Sequence, residues 1–157
     1  MAKKQKEEKG RRIVNRKARH DYHIEETFEA GIALTGSEVK SLRAGACQLS
    51  EAFVRIHGYE VTLYNCQIDR YTHAGPLNHD PLRKRRLLLH RREIIKLTPK
   101  LNQAGATLVV LSLYFNKRGL AKVELGLGTG KKHYDKREDL KKKDHKRDMD
   151  RAMSRRR

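Results

Sequence analysis

Tyr22-His23-Ile24-Glu25-Glu26-Thr27-Phe28-Glu29-Ala30-Gly31-Ile32-Ala33-Leu34 places apolar side chains at 22 and 24, then again at 28, 30, 32 and 34. A period of two puts successive side chains on opposite faces of a strand, so the segment is predicted to be one long strand. The alternation slips at Glu25-Glu26-Thr27, and Gly31 interrupts it. A bulge or bend at such points lets a strand curve, which the closing of a barrel requires.

Working outward, Ser37 is placed to cap a short helix through Arg43, with Gly45 to stop it. Val39 and Leu42 would face the core, leaving Glu38, Lys40, Ser41 and Arg43 polar and reachable. Gln48–Ile56 and Val61–Ile68 are predicted as two strands joined by the turn His57-Gly58-Tyr59-Glu60. A loop over 72–86 ends in the cluster Arg83-Lys84-Arg85-Arg86, and Leu87-Leu88-Leu89 follows as a short buried segment. The cluster would place phosphate-binding groups where a strand starts, a generic charged loop being the alternative. Helical spacing of Ile94, Leu97 and Leu101 predicts a helix from about 91 to 104. Pro99 is expected to split or kink it, with Thr98 suited to cap the second part. Thr107–Phe115 and Leu120–Leu127 form a last hairpin, and Gly126, Gly128 and Gly130 are expected to make a flexible hinge after it. Five or six strands paired as hairpins, with few helices, indicate a mainly β protein. The best match is a small antiparallel Greek-key barrel of the oligonucleotide-binding type.

Charge divides the 157 residues into three parts. Residues 1–20 hold nine Lys/Arg against two Asp/Glu, and residues from Lys131 onward hold thirteen against six. The 110 residues between hold fifteen against eleven, so most of the net +18 sits on two basic arms. The expected organisation is a disordered basic leader over 1–12, a barrel domain over 13–130 and a basic tail over 131–157. Basic arms on a balanced core call for a polyanionic partner. A membrane surface fits less well, because the arms lack the apolar face that enters lipid. No window approaches a membrane span, and the start reads as no secretory signal, so a cytoplasmic protein is expected.

The tail repeats acid-before-base pairs: Glu138 with Lys141 and Lys142, Asp139 with Lys143, Asp144 with Arg147, and Asp148 with Arg151. Such pairs support a helix, yet Leu140, Met149, Ala152 and Met153 are too sparse to pack it on a barrel. The tail is therefore expected to be mobile when free and helical against another surface.

Several chemistries find no support. The run Gly126-Leu-Gly-Thr-Gly-Lys-Lys fails the phosphate-loop pattern at both ends. Cys47 and Cys66 are isolated, arguing against a zinc site or a disulfide framework. His20-x-x-His23 lacks a third ligand at useful spacing, so no metal and no cofactor are expected. A histidine ribonuclease has no pair identifiable by spacing, and no enzyme is expected. The positive signals are for RNA. Asn15-Arg16-Lys17-Ala18-Arg19-His20 joins groups that can stack or bond with three cations for phosphates. Glu29 and Glu38 could accept from base amino groups, although an ion pair with a nearby Arg is the alternative that spacing favours.

Six motifs in order carry a resemblance: Asn15-Arg16-Lys17-Ala18, Tyr22 to Gly31, Gly36 to Arg43, Asn78-His79-Asp80-Pro81, Arg86 to Leu89, and Gly130 to Arg137. From Ile13 to its end, the chain resembles the SmpB family of SsrA-binding proteins. The resemblance implies an oligonucleotide-binding barrel that grips the tRNA-like domain of tmRNA and delivers it to stalled ribosomes for tagging. It also implies a tail that lies helically in the small-subunit decoding centre and the empty mRNA channel. Whether elongation factor Tu, in complex with charged tmRNA, is touched directly stays open. Asn15, Glu29 and Leu88 match family positions implicated in tmRNA binding, and Arg16, Lys17, Arg19, Glu38, Lys40 and Arg43 join them as candidates. Asp135, Lys136 and Arg137 match the tail motif implicated in tagging, and Met153 its distal end. Lys131, Lys132, His133, Tyr134, Lys142 and Arg147 complete the ribosome-binding candidates. His23 departs from the aromatic common there, and Thr129 departs within the expected hinge.

Overall fold

A computed structural model describes residues 12–154. The elements run β1 (Ile13–Val14), α1 (Arg16–Asp21), β2 (Tyr22–Ile32), α2 (Gly36–Arg43), β3 (Cys47–Gln48), β4 (Phe53–His57) and β5 (Glu60–Tyr64). They continue through β6 (Gln67–Ile68), β7 (Arg85–Leu88), α3 (Arg91–Leu101), β8 (Ala106–Phe115), β9 (Ala121–Gly130) and α4 (His133–Ser154). The leader expected to be disordered falls almost wholly outside these residues, as does the end of the tail beyond Ser154.

Every strand pairing is antiparallel. The order β8-β4-β5-β7-β2-β9 closes through a β8–β9 pairing, giving a six-stranded barrel, with β1 added beside β8 and β3–β6 as a separate pair. Because β2 lies beside β7 rather than β4, the connection is of the Greek-key kind. The slip read at Glu25-Glu26 is a register shift between Ile24 and Glu26, and a second shift lies between Val110 and Ser112. Ala30, Leu63, Leu108, Val110, Val123 and Leu125 fill the interior, joined by Leu42 from α2 and Ile94 and Leu97 from α3.

Several local expectations are corrected. The expected strand Gln48–Ile56 is broken by a turn in which the Ala52 N–H donates to the Leu49 carbonyl at 3.1 Å. Val61–Ile68 is divided at Asn65, whose φ of 51° turns the chain out of the ladder. Thr35, not Ser37, caps α2, because the Glu38 carboxylate turns back to accept from the Thr35 N–H at 2.7 Å. Gly45, at φ 82°, follows that helix as expected. Helix α3 starts after His90 and runs unbroken through Pro99, so Thr98 is no cap; its hydroxyl donates to the Ile94 carbonyl at 2.8 Å. Pro99 stands two residues from the helix end, where only one main-chain bond is lost.

The glycine hinge is also corrected. Gly126, Gly128 and Gly130 lie within β9, and the first two are buried. A Cβ on Gly128 would stand 2.1 Å from the His23 carbonyl oxygen, at the β2 bulge. A Cβ on Gly126 would stand 3.0 Å from Leu111 and 3.1 Å from Ile24. Those two side chains belong to a second small cluster, with Ala18, Val109 and Tyr22, that seats α1 on the outside of the barrel. The glycines permit that close packing, and Thr129 is paired with His23 and Ala106 rather than loosening a linker.

Candidate nucleic-acid interface

Register assembles one outer face. Leu88, Gly31, Lys122 and Tyr114 stand opposite one another across β7, β2, β9 and β8. Beside them run Glu29, Glu124, Ser112 and Val14, across β2, β9, β8 and β1. Strand alternation decides what each presents: in β7, Leu87 is 3% exposed and Leu88 58%. The Leu triplet is therefore not a uniformly buried segment: Leu87 enters the core, Leu89 packs against it half-buried, and Leu88 points outward. Gly31 leaves room beside Leu88, whose Cβ would lie 3.3 Å from a Cβ added there.

Two carboxylates on this face are held by their neighbours. Glu29 accepts from the Tyr114 hydroxyl and pairs with Lys122 at 3.3 Å. The Tyr114 bond, ahead of Lys122, draws the Glu29 carboxyl below its ordinary value and pushes the tyrosine up to about 12. Burial would raise Glu124, but bonds from Ser112 and Arg12 bring it below the usual range. Arg12 bonds Glu124 and Ser112, the latter at 3.1 Å, with its guanidinium 5.1 Å from the Tyr114 ring centroid. Arg19 approaches Glu124 at 3.8 Å from α1. Arg12, Tyr114, Lys122 and Glu124 escaped sequence reasoning, because register, not spacing along the chain, brings them to Glu29.

The α1 cations divide by role. Arg16, Lys17 and Arg19 are exposed, and Lys17 reaches Glu51 at 2.5 Å. Asn15 is 5% exposed and fully engaged, which corrects its expected part as a stacking or bonding group for RNA. Its Oδ1 accepts from the Ala18 N–H at 3.1 Å, capping α1, while Nδ2 donates to the carbonyls of Leu49 at 2.7 Å and Val110 at 3.0 Å. Asn15 thus fixes where the α1 cations project.

Glu38 takes the alternative that its spacing favoured, an ion pair with nearby arginines, rather than staying reachable as expected. It is fully buried, so it is not a reachable base acceptor; Ser41 is buried too. Its Oε1 accepts from Arg85 Nε at 2.8 Å and its Oε2 from Arg83 Nη2 at 2.7 Å. Burial works to raise this carboxyl, yet Arg83, the Thr35 N–H and Arg85 together hold it at about 2. Arg85 has no exposed surface, so the basic cluster at 83–86 is not one phosphate-binding unit. The network anchors α2, which presents Arg43 5.6 Å from the Phe115 ring and Lys40 5.3 Å from the Tyr71 ring.

Helix α4 leaves the barrel from the end of β9. The Lys131 N–H donates to the Asp21 carbonyl at 2.8 Å, Lys131 Nζ meets Asp139 at 2.6 Å, and Lys136 meets Asp21 at 3.1 Å. Asp139 thus pairs back to Lys131 rather than forward to Lys143. Asp21 sits below its ordinary value through bonds from His20 and then Lys136. Farther on, Asp144–Arg147 and Asp148–Arg151 pair within the helix at 3.8 Å. Lys132, Tyr134, Asp135, Arg137, Lys142, Arg147 and Met153 are exposed; nothing is described of the His133 side chain. No helix among the described residues is long and apolar enough to cross a membrane, and they hold no cluster suited to a metal ion.

This arrangement can be set beside known proteins. A family model described as "SmpB protein" matches residues 12–155. The chain belongs to the SmpB family. Among relatives, the SsrA-binding protein of Desulforamulus reducens is 53% identical over 155 residues, covering 98% of this chain and 96% of the relative. That of Bacillus subtilis is 55% identical over 139 residues, 88% of each. A solved structure described as "tmRNA-SmpB: a journey to the center of the bacterial ribosome" contains a chain 53% identical, with a TM-score of 0.66 over 78% of this chain and 85% of that one. The β2–β9 ladder and the α2 anchor described above are thus features of an SmpB-family barrel.

Proposed function

We propose that the protein binds the tRNA-like domain of tmRNA and delivers it to stalled ribosomes for trans-translation. Its RNA-binding part is the outer barrel face with Glu29 and Leu88, edged by Arg16, Lys17 and Arg19; Lys40 and Arg43 extend it from α2. Asn15 and Glu38 serve by positioning these cations. Helix α4 enters the decoding centre and the vacant mRNA channel through Asp135, Lys136, Arg137 and Met153. The chemistry is recognition without catalysis or cofactor, in the cytoplasm, and elongation factor Tu on charged tmRNA is a further partner to test.

The observation that carries this reading is the separation of two cationic surfaces in an SmpB-family chain. One is a built barrel face with a half-exposed leucine among held polar groups; the other is a helix tied down only at its base. A general RNA-binding protein would need the first but has no use for the second. Deleting residues after Gly130 and scrambling them at constant composition test the division, with tmRNA binding and peptide tagging assayed in parallel. Both variants should keep tmRNA binding over bulk tRNA and lose tagging. Full tagging by the scrambled chain would reduce the tail to a polycation, and equal affinity for bulk tRNA would leave only general RNA binding.

A further inference from the structure

The thiols of Cys47 and Cys66, far apart in sequence, lie 3.9 Å apart between Sγ atoms. The β3–β6 pairing causes this, setting Cys47 opposite Ile68, two residues beyond Cys66. Cys66 is wholly buried, Cys47 partly exposed, and both are free. The left-handed turn at Asn65 directs the chain into this position. Neither sulfur belongs to the barrel face or to the tail helix proposed above. We propose that Cys47 and Cys66 are a reversible thiol–disulfide site, with Cys47 the thiol that meets a low-molecular-weight disulfide and Cys66 the one that resolves it.

The environment divides the two roles. The hydrogen bond from Cys47 pulls the Cys66 thiol below its ordinary value, with the positive charge of Arg85 acting the same way, while the same bond pushes Cys47 up. Cys47 is the thiol that solvent reaches. It gives its proton to solvent, its Sγ attacks one sulfur of the oxidant RSSR, the S–S bond breaks and RS⁻ departs. Once Cys66 loses its own proton, its thiolate attacks Cys47 Sγ and displaces the second RS⁻. Two protein thiols give up two electrons, and one RSSR becomes two RSH. The sulfurs must close from 3.9 Å to about 2.05 Å.

The bridge would close the segment carrying the β4–β5 hairpin. It also lies beside the α2 anchor, since the Cys66 carbonyl accepts from Arg85 Nη1 at 2.5 Å. Oxidation would thus tie the buried Arg85–Glu38 pair, and the helix presenting Lys40 and Arg43, to a covalent staple.

The experiment incubates the reduced full chain with oxidised glutathione and maps tryptic peptides without reduction. Cleavage at Arg43, Arg55 and Arg70 separates the two cysteines, so a bridge joins peptides 44–55 and 56–70. The expected result is that linked pair at the mass of two lost hydrogens, with Tm raised by roughly 5–10 °C and restored by dithiothreitol. Cys66→Ser should stop at a glutathione adduct on Cys47, and Cys47→Ser should stay unmodified at Cys66, circular dichroism reporting that each is folded. Wild-type chains joined between molecules, a stable single adduct, or two free thiols would each overturn the proposal. Modification of Cys66 in Cys47→Ser would overturn the assigned order. The wild-type peptide map decides the matter even if a serine variant fails to fold.

Discussion

Glu38 Oε1 accepts a hydrogen bond from Arg85 Nε at 2.8 Å, and neither side chain has any exposed surface. Two motifs separated by 47 residues are thereby joined inside a barrel whose surplus charge lies elsewhere. A buried pair survives only when its remaining polar atoms are also bonded. Here Arg85 donates further to the carbonyls of Cys66, Arg83 and Pro81.

The pair makes stability depend on acid. Glu38 ionises at about 2 in the folded chain against an ordinary 4.5. Its contribution is fully present above about pH 4.5 and is lost as pH falls towards 2. On that difference it amounts to about 3 kcal/mol. Glu38→Gln should cost about 3–5 kcal/mol at pH 7 by leaving Arg85 buried and unpaired, and should flatten the fall in stability below pH 4.5. Urea midpoints from pH 2.5 to 7 compare the two slopes; parallel curves would remove Glu38 from the account.

Leu88→Asp should leave the fold intact and weaken tmRNA binding. The side chain is 58% exposed, so its loss from the surface should cost about 1 kcal/mol or less. A carboxylate there would meet phosphate instead, and affinity should fall at least about tenfold, or 1.4 kcal/mol. Gel-shift titration alongside thermal melting separates the effects. A collapsed melt would place Leu88 in the core after all.

Lys17→Ala and Arg19→Ala should each reduce the log–log salt slope of tmRNA binding by about 0.9 if each neutralises one phosphate. Both now hold carboxylates, Glu51 at 2.5 Å and Glu124 at 3.8 Å, and the two cations are themselves more than half exposed, so they can exchange these partners for RNA. Unchanged slopes across 50–200 mM salt would mean that these cations stay with their protein partners.

Gly128→Ala should be far more damaging than Gly130→Ala. The first methyl would meet main-chain oxygen at 2.1 Å, the second nothing within 4 Å. A loss of about 3 kcal/mol or more is expected for the former and under about 1 kcal/mol for the latter. Similar melting temperatures for both would restore the glycines to a flexible linker.

The sequence by itself determined the barrel class, the long bulged β2, the last hairpin and the helical tail. Each is a local pattern: period-two alternation that slips at Glu25-Glu26, turn residues between strands, or acid–base pairs at helical spacing. Charge likewise marked the two arms, because net charge needs no coordinates. Only the tertiary structure decided which candidates are exposed and which are buried. The same polar side chain is a reachable group or a buried strut according to what folds over it. Asn15 spends its amide on Val110 and Leu49, and Glu38 meets Arg85 across strands, so neither is free. Leu88 turned outward because β7 alternates while its triplet looks uniformly apolar, and Tyr114, Lys122 and Glu124 joined Glu29 only through register. The alternate glycines show the same limit: flexibility is what a glycine permits in isolation, but against the His23 carbonyl its missing Cβ is a packing requirement.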